Sequence, residues 1–156
     1  MKGNNMKKLY ILITIGIVIY STFLKAQWIQ TNGLEGGDVS SFVVSGINLF
    51  AGTINSGVFI STNNGDTWSK VNAGLTNLYI SSLAVSGPNL FAGTFEGGIF
   101  RSTNNGEFWV AVNTGLTEDA VNCLAVSATN IFAGTGGRLS PGGDRKSTRL
   151  NSSHER

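Results

Sequence analysis

Apolar and polar positions between residues 28 and 143 fall into short runs, each bounded by Gly, Asn or Ser. The first set covers residues 39–45 (VSSFVVS), 48–53 (NLFAGT), 57–62 (GVFIST) and 67–71 (TWSKV). Val, Ile, Phe and Thr dominate these runs, and β-branched and aromatic residues fit a pleated, half-buried surface. The runs predict four short strands. Gly46-Ile47 and, further on, Gly87-Pro88 supply tight-turn chemistry between the first two strands of a set. Helical periodicity appears nowhere in this stretch.

The set recurs with a fixed interval. "NLFAGT" begins at Asn48 and again at Asn89, and "NIFAGT" begins at Asn130, each 41 residues after the last. "SFVVSG", "SLAVSG" and "CLAVSA" begin at Ser41, Ser82 and Cys123, and "STNNGDTW" at Ser61 returns as "STNNGEFW" at Ser102. A period of this length marks a repeat architecture, and four strands in about 40–45 residues make one propeller blade. The expected fold is therefore all-β, a β-propeller of four-stranded blades present as about two and a half blades. A β-solenoid is the alternative. Trp28 opens "WIQTNGL", similar to "WSKVNAGL" from Trp68 and "WVAVNTGL" from Trp109, so residues 28–38 read as a lone fourth strand and loop. Residues 39–79 and 80–120 then form complete blades, and residues 121–143 half of another. A ring left incomplete exposes unpaired strand edges.

Both ends differ from this body. "MKKLYILITIGIVIYSTFLKAQ" places lysines ahead of an apolar run from Leu9 to Leu24, closing near Ala26. Residues 1–27 thus have the layout of a secretory signal peptide, and the run falls short of the roughly 20 residues that span a bilayer. Export to the bacterial cell surface or beyond follows, with no membrane attachment after cleavage; an uncleaved anchor is the alternative. Residues 144–156 lack the upstream alternation. "DRKSTRLNSSH" (residues 144–154) resembles the in-frame translation of a common sequencing-library adapter, so this tail reads as non-native and the blades as the N-terminal portion of a longer protein.

With the ends set aside, the charge balance changes sign. The whole chain carries +2, but between residues 28 and 143 three cations (Lys70, Arg101, Arg138) meet seven carboxylates, a balance of −4. Nothing here resembles the basic stripe of a nucleic-acid-binding surface.

The octet resembles the Asp-box (BNR) motif, Ser-x-Asp-x-Gly-x-Thr-Trp, found in sialidases, sortilin-type receptors, xyloglucan-degrading propellers and photosystem II assembly factors. The resemblance covers Ser61, Asn63, Gly65, Thr67 and Trp68, and again Ser102, Asn104, Gly106 and Trp109. Asn stands at 63 and 104 where the motif has Asp, and Phe108 stands where it has Thr. The resemblance implies a β-propeller whose octets are structural turns. Asn63 and Asn104 would cap turn amides, Gly65 and Gly106 would take positive φ, and the tryptophans would bury between sheets. A lone Asp66 makes "NNGD" a poor calcium loop.

Candidate chemistry is sparse. The body has no histidine and one cysteine, so Ser/His/Asp, Cys/His and zinc constellations are unavailable within it. Cys123, aligned with Ser41 and Ser82, reads as a small buried residue. No metal site or cofactor is expected, and no catalytic residue is assigned. The repeats differ most in two connections: Ile54-Asn55-Ser56 against Phe95-Glu96-Gly97 and Gly136-Gly137-Arg138, and residues 35–38 against 76–79 and 118–120. If these connections share one rim, Asn55, Tyr79, Phe95, Glu96, Glu118 and Asp119 are the candidate binding residues, suited to a carbohydrate or a protein segment. The expected function is an exported binding or scaffold module. The alternative is the propeller portion of a secreted glycoside hydrolase, sialidase-like or xyloglucanase-like, with paired carboxylates.

Overall fold

The "NLFAGT" runs become the second strand of each of three sheets. The computed structural model describes residues 34, 38–128 and 130–136 and the strand at 147–151. The expected signal peptide, nearly all of the lone fourth strand at 28–38 and most of the tail lie outside the described residues. Element order is β1 (Val39–Ser45), β2 (Asn48–Thr53), β3 (Gly57–Ser61), β4 (Ser69–Lys70), β5 (Ile80–Ser86), β6 (Asn89–Thr94), β7 (Ile99–Ser102), β8 (Val110–Ala111), β9 (Val121–Ser127), β10 (Asn130–Thr135) and β11 (Ser147–Asn151).

Two four-stranded antiparallel sheets, β1-β2-β3-β4 and β5-β6-β7-β8, are joined by a three-stranded one, β11-β10-β9. The fold is all-β, built from propeller blades; the solenoid alternative is set aside by these up-and-down antiparallel sheets. Fourth strands are shorter than the sequence suggests. Only Ser69 and Lys70 pair with β3, at Ile60 and Phe59, because the octet's turn consumes the residues before them.

The two-residue hairpins follow from Gly46 (φ 62°) and Gly87 (φ 56°), and in the third sheet Ala128 takes the same left-handed conformation at φ 52°. Positive φ at the first turn position matches the right-handed twist of the flanking strands. An Ala there carries a Cβ penalty that the glycines avoid. Residues 147–151 pair antiparallel with β10 from Asn130↔Asn151 to Gly134↔Ser147, the slot that β3 and β7 fill in the other sheets. An open strand edge presents unpaired amides and carbonyls, and pairing with any extended segment satisfies them.

Blades meet through their faces. One core joins Phe50 and Val58 of the first blade to Ile80, Leu83, Leu90, Phe100 and Trp109 of the second. Another joins Ala84, Phe91 and Ile99 to Val121, Ile131 and Ala133 of the third. The approach is closest at the glycine of each "AGT". A Cβ on Gly52 would lie 2.6 Å from Ile80 Cγ2, and one on Gly93 2.7 Å from Val121 Cγ1. Serines bridge the same seam. Ser40 Oγ donates to Gly52 O and Ile80 O, and Ser81 Oγ to Gly93 O and Val121 O. The amides of Leu83 and Leu124 donate to Ser41 Oγ and Ser82 Oγ, both at 3.0 Å. Every buried side-chain polar atom among the described residues has a partner.

Cys123 corrects one expectation. It is exposed rather than buried. Ser41 and Ser82 are covered by the next blade's Leu83 and Leu124, whereas Cys123 lies on β9, where no described blade follows.

The seam predicts the effect of one methyl group. Gly93→Ala forces Val121 and Leu124 aside and should lower unfolding free energy by about 1–3 kcal/mol, the usual cost of overpacking a filled core. Urea denaturation measures this; an unchanged midpoint would mean the blades are not held this closely.

Candidate functional site

The β2–β3 and β6–β7 connections are each held by an asparagine that lies just past the blade's last strand. Asn72 Oδ1 accepts the Val58 amide at 2.7 Å, and Asn72 Nδ2 donates to Ser56 O at 2.9 Å. Asn113 repeats this with the Ile99 amide (2.8 Å) and Gly97 O (3.3 Å). Thr53 and Thr94, both buried, donate to Gly57 O and Gly98 O at 2.8 Å. Gly57 and Gly98 sit at φ 80° and 76° against the asparagine side chains, leaving no room for a Cβ. A side chain that satisfies both an amide and a carbonyl fixes a turn more firmly than solvent can.

The two variable connections do share one rim. The Gly57 amide donates to Leu78 O at 3.0 Å, Phe95 N to Tyr79 O at 3.1 Å, and Gly98 N to Asp119 O at 2.9 Å. Ile54 N→Asp38 O and Gly136 N→Ala120 O continue the pattern. Tyr79 and Phe95 come into ring contact, centroids 5.1 Å apart and planes inclined by 35°. Asn77 Oδ1 accepts the Tyr79 amide at 2.8 Å, fixing the approach to the ring. Both rings are half-buried, and Glu96 is exposed immediately beside them. Asp119 joins this part of the rim through its carbonyl, and Glu118 is exposed next to it. Asn55 stands apart, exposed at the tip of the first blade's connection with φ 76°. Aromatic area with neighbouring acceptors is a surface that stacks a ring and bonds its hydroxyls.

The octets lie elsewhere. β3 begins at the rim with Gly57 and ends at Ser61, where the octet starts, so about 13 Å of strand separates the two. Ser61 Oγ donates to Asn63 Oδ1 (2.9 Å) and accepts the Gly65 amide (2.8 Å), while the Thr67 amide donates to Asn63 Oδ1 (2.9 Å). Ser102 and Asn104 repeat the arrangement, with the Phe108 amide on Asn104 Oδ1 at 3.0 Å. Thr67 Oγ1 also meets Asn63 Nδ2 at 3.0 Å, a bond that Phe108 cannot make. Gly65 and Gly106 take φ 92° and 83°. Trp109 is 1% exposed and its Nε1 donates to Val71 O of the first blade at 2.7 Å. Trp68 is half-buried and packs on Phe42 with centroids 6.0 Å apart.

Sequence reasoning passed over Asn72, Asn113 and the "AGT" threonines as determinants of the rim. The signal was present, since Asn32, Asn72 and Asn113 recur in "TNGL", "VNAGL" and "VNTGL". Among the described residues no group of three or more His, Cys, Asp or Glu side chains could hold a metal ion. No helix among them is long and apolar enough to cross a membrane.

Asn113→Ala leaves the Ile99 amide and Gly97 carbonyl without partners, at about 1–3 kcal/mol for a buried amide. Thermal unfolding should show that loss, and amide exchange at Ile99 should accelerate; a variant as stable as the parent would contradict the assigned role.

No protein-family model matches the chain, and no curated protein matches it. Solved structures do. An ancestral GH74 enzyme aligns with 73% of this chain at 27% identity and a TM-score of 0.58, the match covering 15% of that enzyme. The computationally designed protein Ika8 aligns with 67% of the chain at 13% identity and a TM-score of 0.52, covering 32% of it. The GH74 enzyme of Niastella koreensis aligns at 18% identity and a TM-score of 0.49, with 19% of its length covered. The chain thus spans less than a third of each of these three proteins. GH74 enzymes are β-propeller glycoside hydrolases, in keeping with the blades described above.

Proposed function

We propose that these blades belong to an exported carbohydrate-binding propeller module whose ligand rests on the rim at Tyr79 and Phe95. The observation that supports this reading most directly is the aromatic pair, tilted and half-buried beside exposed Glu96. Stacking on a ring face recognises the apolar face of a sugar, and carboxylates and backbone groups nearby bond its hydroxyls. The signal-like N-terminus supports a place outside the cytoplasm, where polysaccharide is available. Binding without chemistry is the reading for these blades, since no carboxylate pair in them has motif-level support.

The likeness to an ancestral GH74 enzyme favours a second reading, in which the blades are part of a larger glycoside hydrolase. A reducing-end assay on the same polysaccharides separates the two: product release favours the hydrolase, binding without product the module.

Affinity electrophoresis through gels containing xyloglucan or other soluble β-glucans tests the site. Tyr79→Ala and Phe95→Ala should each weaken retardation by about two- to tenfold, since an aromatic contact is worth about 0.5–1.5 kcal/mol. Phe108→Ala, an exposed aromatic at the octet end, should leave it unchanged. Absence of retardation, or equal losses in all three variants, would overturn the assignment.

A further inference from the structure

We infer that the octet serines guard two reactive peptide bonds, holding Asn64-Gly65 and Asn105-Gly106 against deamidation for as long as each turn stays closed. The octets lie away from the rim, so this holds whether or not the blades bind carbohydrate.

Among the described residues, Asn is followed by Gly only at these two places. The turn itself demands the pair. Gly65 and Gly106 take φ 92° and 83°, where a Cβ would be strained, and Asn64 and Asn105 take φ 57° and 55°. Asn tolerates that left-handed conformation better than most side chains do. The same dipeptide is readily cyclised, because glycine sets no side chain in the way of its own nitrogen.

Cyclisation requires the glycine nitrogen to lose its proton to water and bond to the Asn Cγ. The Cγ–Nδ2 bond then breaks, and Nδ2 takes up a proton from water and leaves as ammonia, giving a cyclic imide. Water opens the ring at either carbonyl to yield aspartate or isoaspartate, and no oxidant or reductant takes part.

The closed turn blocks the first step. Asn64 and Asn105 are exposed, so water reaches their side chains, but Gly65 and Gly106 are buried. The Gly65 amide donates to Ser61 Oγ at 2.8 Å, and the Gly106 amide to Ser102 Oγ at 2.9 Å. Each serine hydroxyl donates in turn to Asn63 Oδ1 or Asn104 Oδ1, which keeps its lone pairs on the glycine amide. A buried, bonded N–H gives up its proton to water only when the local structure opens. The second octet is also braced from behind, since a Cβ on Gly106 would lie 3.0 Å from Val71 Cγ2 of the first blade.

Each opening therefore carries a risk that closure does not undo. Both products add a negative charge, and isoaspartate lengthens the backbone by a carbon atom. A lengthened turn no longer sets Ser61 Oγ on the Gly65 amide and Asn63 Oδ1 on the Thr67 amide. Chemical modification of the open state makes such a loss irreversible.

Peptide mass mapping of the full chain aged at neutral pH, set against the free peptide STNNGDTW, tests the guard. Asn64 and Asn105 should convert far more slowly in the folded chain than Asn does in the peptide. Amide exchange at Gly65 and Gly106 in the parent chain should be slowed as well, a comparison that needs no substitution. Ser61→Ala should speed conversion at Asn64 by about tenfold, the factor that one lost hydrogen bond puts on an opening equilibrium, and leave Asn105 unchanged. Ser102→Ala should do the reverse. A folded parent chain that converts as fast as the peptide would overturn the inference. Serine variants that convert at the parent rate, or that raise both sites together, would overturn it equally.

Discussion

The approach of neighbouring blades at the "AGT" glycine governs everything else in this structure. Two sheets carrying side chains at every position would stand about 10 Å apart. Removing one Cβ on the second strand lets the next blade's first strand lodge Ile80 and Leu83, or Val121 and Leu124, directly over the glycine. At that separation serine hydroxyls can bridge the gap, and they do so with partners 40 and 42 residues away. The sheets are too small to be stable alone, since isolated few-stranded sheets bury little apolar area. Their stability is shared between neighbours, as in any repeat protein.

The rim inherits its geometry from this packing. Once the first strands of adjacent blades are side by side, the connection entering one blade lies against the hairpin of another strand pair. Backbone bonds from Gly57 to Leu78 and from Phe95 to Tyr79 then lock the two loops together. Asn72 and Asn113 complete the lock from just beyond the fourth strands. The frame is fixed by packing, which leaves the loop tips free to differ in sequence. That is the usual division between scaffold and binding surface, and it places the Tyr79–Phe95 pair where variation between repeats is greatest.

Much of this was legible in the sequence because it is written more than once. The 41-residue interval exposed the blades, and runs of β-branched and aromatic residues bounded by Gly, Asn or Ser marked the first three strands of a blade nearly to the residue. The octet's Asn caps and positive-φ glycines were readable from turn chemistry. Other features were not. The fourth strands shrink to two residues because hydrogen bonding, not β-propensity, decides where pairing starts. Cys123 was judged by its aligned serines, but burial depends on the blade that follows and not on the residue. Asn72 and Asn113 went unnoticed because a repeated polar residue in a loop looks like ordinary turn chemistry until its two partners are seen. The meeting of Tyr79 and Phe95, 16 residues apart, required the loops to be placed in space.

The central claim is that adjacent blades are bonded across a glycine seam, and native-state amide hydrogen exchange tests it most directly. Leu83 and Leu124 point their amides away from their own sheets, toward the serines of the preceding blade. The account predicts that both exchange only through global unfolding, as slowly as the sheet's own ladder amides. It also predicts that Ser41→Ala releases Leu83 alone and Ser82→Ala releases Leu124 alone. Exchange of both amides in the wild-type chain as fast as that of the exposed Glu96 amide would contradict it, and the seam would have to be abandoned as the basis of the fold.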